Sequence, residues 1–461
     1  MKKMLLLSLA LGLAGTASLS AGTVEVFLTG STAFRANVYN ACLKCFNTTP
    51  TVYYGDAAHG GDANNNSKTA AWVMIGNPLG TMTNLYTPGT VAGTTLKIHG
   101  LFTGSVQGLA TVEQSTPLSF PDNGSGSSGT TATSYVTNIP TIGFSDCESP
   151  STPYNVANIS GYAEETVAIQ PFIWCISVSD VTKTNIANIS TEQAFYGIPN
   201  GLLPLSAWTG RATDASVNVY FAERTKDSGT RRVETACANY SFNDQVGIYI
   251  WDATNKFWYL PTSGAVVAKG GAGAGIVGPA GLNNANTNWG YGYVGGGDVR
   301  TALADATNAN VSVGILSFAD AQSFGGSTSN WSQTISYNGI WPTTAGAGIR
   351  GNTVTNDFSP IKNGYYPLWA EETIVYSTAQ STLTFTGGSK ITDSQLGNGT
   401  TPGTFLGVFN AHNQASPVAG SIDNEIFISQ STGGVGYPAT AIRLGDMKCN
   451  RSTVGGIISP Y

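Results

Sequence analysis

Apolar and polar positions change their spacing in the same way three times along the chain. In VEVFLTGSTAFRANVYNACLKCF an apolar run from Val24 to Leu28 predicts a strand, and Phe34, Val38, Cys42 and Cys45 or Phe46 then return at helical spacing. Thr29, Gly30, Ser31 and Thr32 lie at the change of period. TTLKIHGLFTGSVQGLATVEQ repeats the design, with Thr103, Gly104 and Ser105 between strand and helix. SVNVYFAERTKDSGTRRVETACANY repeats it again, with a strand over Val217 to Ala222 and Ser228, Gly229 and Thr230 at the junction. A fourth segment, NIPTIGFSD, predicts a buried strand that ends in Ser145 and Asp146.

A strand-to-helix junction of small hydroxylated residues has a defined physical use. The first helical turn leaves backbone N–H groups without intrahelical partners, hydroxyls cap it or point at a ligand, and glycine lets a backbone approach closely. The helix dipole adds a partial positive charge, so each junction is an oxyanion seat in waiting. One such junction is an ordinary N-cap. Three in one chain, the last beside Arg224, point to a shared anion pocket.

That last junction reads RTKDSGTRR and gathers Arg224, Lys226, Arg231 and Arg232 in a chain of which only 10% is charged. For a charge cluster taken alone, a solvated basic turn is the plain alternative. Asp146 brings an acid to the same pocket. A carboxylate can accept a hydrogen bond from an anion that keeps a proton, as phosphate does near neutral pH, and it repels one that keeps none, such as sulfate. The alternative is that Asp146 caps the following turn.

Composition places the chain outside the cytoplasm. MKKMLLLSLALGLAGTASLSAG has two lysines, an apolar run and a small-residue end, which is the pattern of a secretory signal peptide over 1–21. Its removal takes away Lys2 and Lys3 and no acid, moving the formal charge from −6 to −8. A net acidic chain lacks the basic footprint of nucleic-acid binding, and no stretch after the leader is long enough to span a membrane. No cysteine stands near the cleavage site to carry a lipid anchor. Six cysteines allow up to three bridges in fifteen connectivities; Cys42 and Cys45 form a CLKC read as structural or free thiols. Residues 119–135 and 269–292 are polar and glycine-rich insertions, and the tail after Ser377 reads as turn-rich β structure, with TLTFTG and NEIFISQ as strands.

Taken in chain order, Gly30-Ser31-Thr32, Gly104-Ser105, Ser145-Asp146 and Arg224-x-x-Asp227-Ser228-Gly229-Thr230 resemble the ligand-contacting segments of the periplasmic phosphate-binding proteins of ABC transporters. NISTEQAFYGIPNGLLPLSAWTGR (188–211), VSVGILSFADA (311–321) and YYPLWAEETIVYS (365–377) are similar to further segments of that family. The resemblance implies an α/β, two-lobed type II periplasmic-binding-protein fold with its ligand cleft between lobes. Lobe I would be 22–176 plus 314–461, and lobe II 177–313. It also implies the site residues: Ser31, Thr32 and Ser105 as donors, Asp146 accepting the ligand proton, Arg224 pairing with the anion, and Ser228, Gly229 and Thr230 completing the cradle. The ligand implied is inorganic phosphate, the partner an ABC permease, the state a monomer in the periplasm or outside the cell, with no cofactor and no nucleic acid.

Two readings stand beside this one. The same fold could bind another oxyanion or a phosphate ester, or serve as a secreted surface or scaffold protein. An enzyme is disfavoured, because His59, His99 and His412 have no metal-ligand spacing and Ser31, Ser105 and Ser228 lack a GxSxG elbow.

Overall fold

The computed structural model describes residues 22–56, 59, 70–85, 94–177, 186–242, 244, 246–259, 292–293, 295–305, 311–322, 333–343, 358–380, 391–409, 447–451 and 458–460. The expected signal peptide and most of the 269–292 insertion lie outside them. So do TLTFTG and NEIFISQ.

Among the described residues the chain is mixed α/β, built on one large mixed sheet. Strand β1 (Thr23–Gly30) leads into helix α1 (Arg35–Leu43), and β2 (Thr51–Tyr54) and β3 (Ala71–Gly76) follow. Strand β4 (Thr95–Leu101) leads into α2 (Ser105–Glu113). After β5 (Leu118–Asn123), β6 (Thr130–Thr131) and β7 (Ser134–Asn138), the short β8 (Ile142–Ser145) runs parallel to β1, as β4 does on its other side. The long β9 (Tyr162–Ile176) then crosses the molecule.

Its far end belongs to a second body. There β10 (Asn188–Ile189), α3 (Thr191–Asn200), β11 (Leu202–Pro204) and α4 (Ser206–Thr209) precede β12 (Asn218–Phe221), which leads into α5 (Gly229–Cys237). A hairpin of β13 (Ile250–Asp252) and β14 (Phe257–Tyr259) is followed by α6 (Gly296–Asp305), β15 (Ser312–Ser317) and α7 (Phe318–Gln322). After β16 (Thr334–Tyr337) and α8 (Ser359–Lys362), β17 (Trp369–Ser377) returns beside β9. The main path of the sheet is β11-β12-β15-β9-β17-β8-β1-β4-β3-β2-β6. Strand β9 pairs with β17 from Tyr162 to Pro171 and with β15 from Phe172 to Ile176, so one strand serves both halves.

Two large hydrophobic cores sit on either side of that shared strand. One gathers Val26, Leu28, Phe34, Val38, Trp72, Ile98, Phe144 and Ile374. The other gathers Trp174, Ile198, Phe221, Val233, Val313 and Leu316, and it takes in Phe358 to Ala370 and Met447 from chain beyond residue 314. The β1–α1 unit buries its apolar stripe in the first core and β12–α5 in the second, while α2 bridges them, with Val106 in the second core and Leu109 and Val112 in a smaller cluster with Val156 and Val375.

Two expectations need correction, and the reading of Cys42 and Cys45 as structural or free thiols holds. The polar segment 119–135 is an antiparallel β5–β7 hairpin anchored by the buried Leu118 and Phe120, because alternation survives beneath its polar composition. The described part of the tail is helical over its first half, where α9 (Asp393–Leu396) starts at a Thr392–Gln395 capping box and α10 (Phe405–Phe409) is buried in the first core, and it keeps β pairing only between Cys449–Asn450 and Ser459–Pro460. All six cysteines are free thiols, and burial pushes Cys42 and Cys45 upward in pKa, which disfavours the thiolate a redox pair needs. No helix among the described residues is long and apolar enough to cross a membrane.

Candidate functional site

The three predicted junctions converge where the carboxyl ends of β1, β4, β8 and β12 meet, the edge at which open α/β sheets hold ligands. Glycine makes the convergence possible at two points. Gly30 has φ +120°, and a Cβ there would stand 2.6 Å from the Phe144 amide nitrogen; the next residue, Ser31, donates its amide to the Phe144 carbonyl at 2.9 Å. Gly229, the first residue of α5, lies directly on the Asp146 carboxylate and close to Ser105 Oγ, so a methyl group there would overlap the acid.

From the first body come Ser31, Thr32, Ser105 and Asp146. Ser31 Oγ accepts the Phe34 amide at 3.1 Å and so caps the turn that opens α1. Ser105, at the start of α2, donates its hydroxyl to Asp146 Oδ1. Asp146 is 1% exposed, and burial raises its pKa against the opposing pull of the Ser105 hydroxyl, the Arg224 charge and Ser31.

From the second body come Arg224, Ser228, Gly229 and Thr230. Ser228 caps α5 by accepting the Arg231 amide. Arg224 is 2% exposed and spans the seam: Nη2 donates to Thr32 Oγ1 at 3.2 Å, Nη1 to Thr230 Oγ1 at 3.4 Å, and Nε to the Tyr293 carbonyl at 3.1 Å. The two bodies are latched again nearby, where the Val106 amide donates to the Asp227 carbonyl at 3.0 Å and Arg232 Nε donates to the Ser151 carbonyl at 2.8 Å. The structure thus brings all eight predicted residues to one seam.

The other cations of RTKDSGTRR serve different ends. Arg231 is buried, donates to the Arg224 carbonyl at 3.1 Å and lies in the field of Glu223 and Glu234. Arg232 is held by Ser151 and by the Tyr240 carbonyl. Lys226 sits over the Phe242 ring, 4.9 Å from its centre. None of the four is a solvated turn charge, so the plain reading of the cluster fails.

Burial lowers the pKa of Arg224, and Asp227, Asp146, Asp320 and Asp298 in that order oppose the shift. Four aspartates thus act on one buried guanidinium. What the seam offers an anion is oriented dipoles and hydroxyls at helix N-termini, one guanidinium, and an acid able to share a proton. That set matches a small tetrahedral oxyanion bearing hydrogen.

Sequence reading missed three participants. Tyr293, just past the glycine-rich insertion, pairs with Arg224 as an isolated bridge, and nothing in its local sequence marks it. Asp320 on α7 accepts from Ser317 Oγ at 3.1 Å and reaches the Arg224 field only through tertiary packing. Glu372 on β17 is fully buried with no hydrogen-bond partner at either carboxyl oxygen. The pattern AEETIVY did hold a signal for it, since an acid there interrupts a strand that is otherwise apolar toward one core.

No family model matches the chain, and no curated protein matches it. Solved structures do match, at distant likeness. A Clostridium perfringens protein solved with bound phosphate is 11% identical at TM-score 0.36, covering 77% of this chain and 86% of that one. An ABC-type phosphate transport receptor from Vibrio cholerae is 10% identical at TM-score 0.33, covering 77% and 87%. A phosphate-binding protein from Stenotrophomonas maltophilia is 14% identical at TM-score 0.32, covering 77% and 79%.

Proposed function

We propose that this chain is an extracytoplasmic binding protein that captures inorganic phosphate at the seam between its two bodies and delivers it to an ABC permease. The observation that carries the reading is the buried Arg224 fork set between the Thr32 and Thr230 hydroxyls, with the buried Asp146 in the same field. In this account Arg224 and the amides opening α2 and α5 hold the bare oxygens. Asp146 accepts the proton that phosphate keeps, and Ser31, Thr32, Ser105, Ser228 and Thr230 fill the remaining directions. The leader at 1–21 would route the chain out of the cytoplasm, and the mature protein would begin at Gly22.

Equilibrium dialysis of the secreted protein against radiolabelled phosphate tests this. Saturable binding by the native chain and loss of at least about 100-fold in Arg224→Gln is expected, since a buried charge-assisted contact contributes roughly 2–5 kcal/mol. Equal binding by the two proteins would refute the site.

A further inference from the structure

Glu372 lies one residue before Thr373, which pairs with Ser145 across β17 and β8. Continuing that antiparallel register sets Glu372 beside Asp146, at the same end of the sheet. A β-bulge between Glu372 and Thr373 marks the place where the pairing with β9 shifts. Two buried carboxyls therefore fall at neighbouring positions of the sheet, and the charge of Asp146 acts on Glu372. Asp146 has its hydroxyl donor in Ser105, whereas Glu372 is 0% exposed and neither of its oxygens has a partner.

We propose that Glu372 is a specificity-determining residue of the anion seam: paired with Asp146 it holds one proton, and the seam loses its tetrahedral anion when the pair gives that proton up. The inference rests on the phosphate reading above. Two adjacent buried carboxyls do not both ionise at moderate cost. The Ser105 hydroxyl, Ser31 and the Arg224 charge favour the ionised form of Asp146, whereas burial and the charge of Asp146 both disfavour that of Glu372, so the proton is assigned to Glu372. In that state Glu372 adds no charge to the aspartates around Arg224. Once Glu372 ionises, an arriving anion meets a further carboxylate, and binding weakens with each further step in pH.

Burial pushes Glu372 well above the ordinary carboxylate range, and the like charge of Asp146 adds to the shift. Among the described residues, β8 contributes Asp146 as the charge acting on Glu372, β9 places Ala168 opposite it, and α2 brings Ser105 and the uncharged Gln107 at its near end. Glu371, the neighbour on β17, is engaged elsewhere, accepting from Thr166 at 2.6 Å.

The test is phosphate affinity by titration calorimetry from pH 6 to pH 9 in the native chain and in Glu372→Gln, which keeps the shape and removes the ionisation. Both see the same ligand titration, so the ratio of their dissociation constants isolates Glu372. The native chain is expected to lose affinity relative to Glu372→Gln by up to about tenfold per pH unit once the proton leaves. A ratio constant over the range would overturn the inference while leaving phosphate binding in place. No phosphate binding by the native chain at any pH would instead overturn the functional reading. In that event thermal unfolding without ligand still decides whether Glu372 holds its proton. A folded-state pKa above the unfolded one contributes stability that is full below the unfolded value and is lost as pH rises toward the folded one. The melting temperature of the native chain should then fall relative to Glu372→Gln from pH 5 to pH 9, and parallel curves would refute a protonated Glu372.

Discussion

The bank built by β1, β4 and β8 and the bank built by β12 reach the same seam with different chemistry. On the first, small hydroxyls and one acid do the work: Ser31 caps a turn, Ser105 donates to Asp146, and Glu372 stands behind them without a partner. On the second, three arginines are packed into and behind one helix start; Arg224 reaches across to Thr32 and Arg232 to the Ser151 carbonyl. In the proposed account the second bank supplies the guanidinium that pairs with the anion, and the first supplies the carboxylate that rejects an anion carrying no proton. The two roles then fall on halves joined through β9, so that one can change without the other.

The largest effect should follow from breaking the charged bank. Arg224→Gln should weaken phosphate binding by at least about 100-fold with unchanged circular dichroism, because the fork is the cation held between the Thr32 and Thr230 hydroxyls. Next comes the contact between banks: Gly229→Ala sets a methyl group on the Asp146 carboxylate and should cost about ten- to a hundredfold in phosphate affinity, measured by calorimetry. Breaking the discriminating bank should change preference more than strength. Asp146→Asn should cost phosphate roughly tenfold and give measurable sulfate binding, since the amide can donate where the carboxylate only accepts and repels. The smallest effect on binding should come from Arg232→Met. It removes bonds to Ser151 and Tyr240 and should lower stability by about 1–2 kcal/mol in urea unfolding while phosphate affinity stays within about threefold.

How far the sequence reaches also differs between the banks. All three strand-to-helix junctions were readable, because each combines a period change from two to 3.6 with glycine and hydroxyl residues at fixed places. They fall where β1–α1, β4–α2 and β12–α5 meet. Arg224 and Asp146 were readable as odd charges in a chain poor in them. Tyr293, Asp320 and Glu372 were not, since each is brought to the seam by pairing or packing over long sequence distances: Tyr293 by a bridge to Arg224, Glu372 by the register of β17 on β8. For Arg231 and Arg232 the sequence allows at most one to face the cleft and the other to be solvated or paired with Glu223 or Glu234; the tertiary fold sets Arg231 in the field of both glutamates and Arg232 on the Ser151 carbonyl, which no local pattern marks. The tail misled for the opposite reason, since Thr392 and Thr404, turn-formers in the sequence, accept the amides of Gln395 and Gly407 at the starts of the short helices α9 and α10.

The most direct measurement is calorimetric titration of the purified secreted protein with phosphate and, separately, with sulfate at pH 7. Saturable phosphate binding with sulfate silent is the predicted result, as Asp146 accepts the one proton that separates the two anions. Sulfate bound as well as phosphate, or neither bound by folded protein, would contradict the assignment of attraction to Arg224 and discrimination to Asp146.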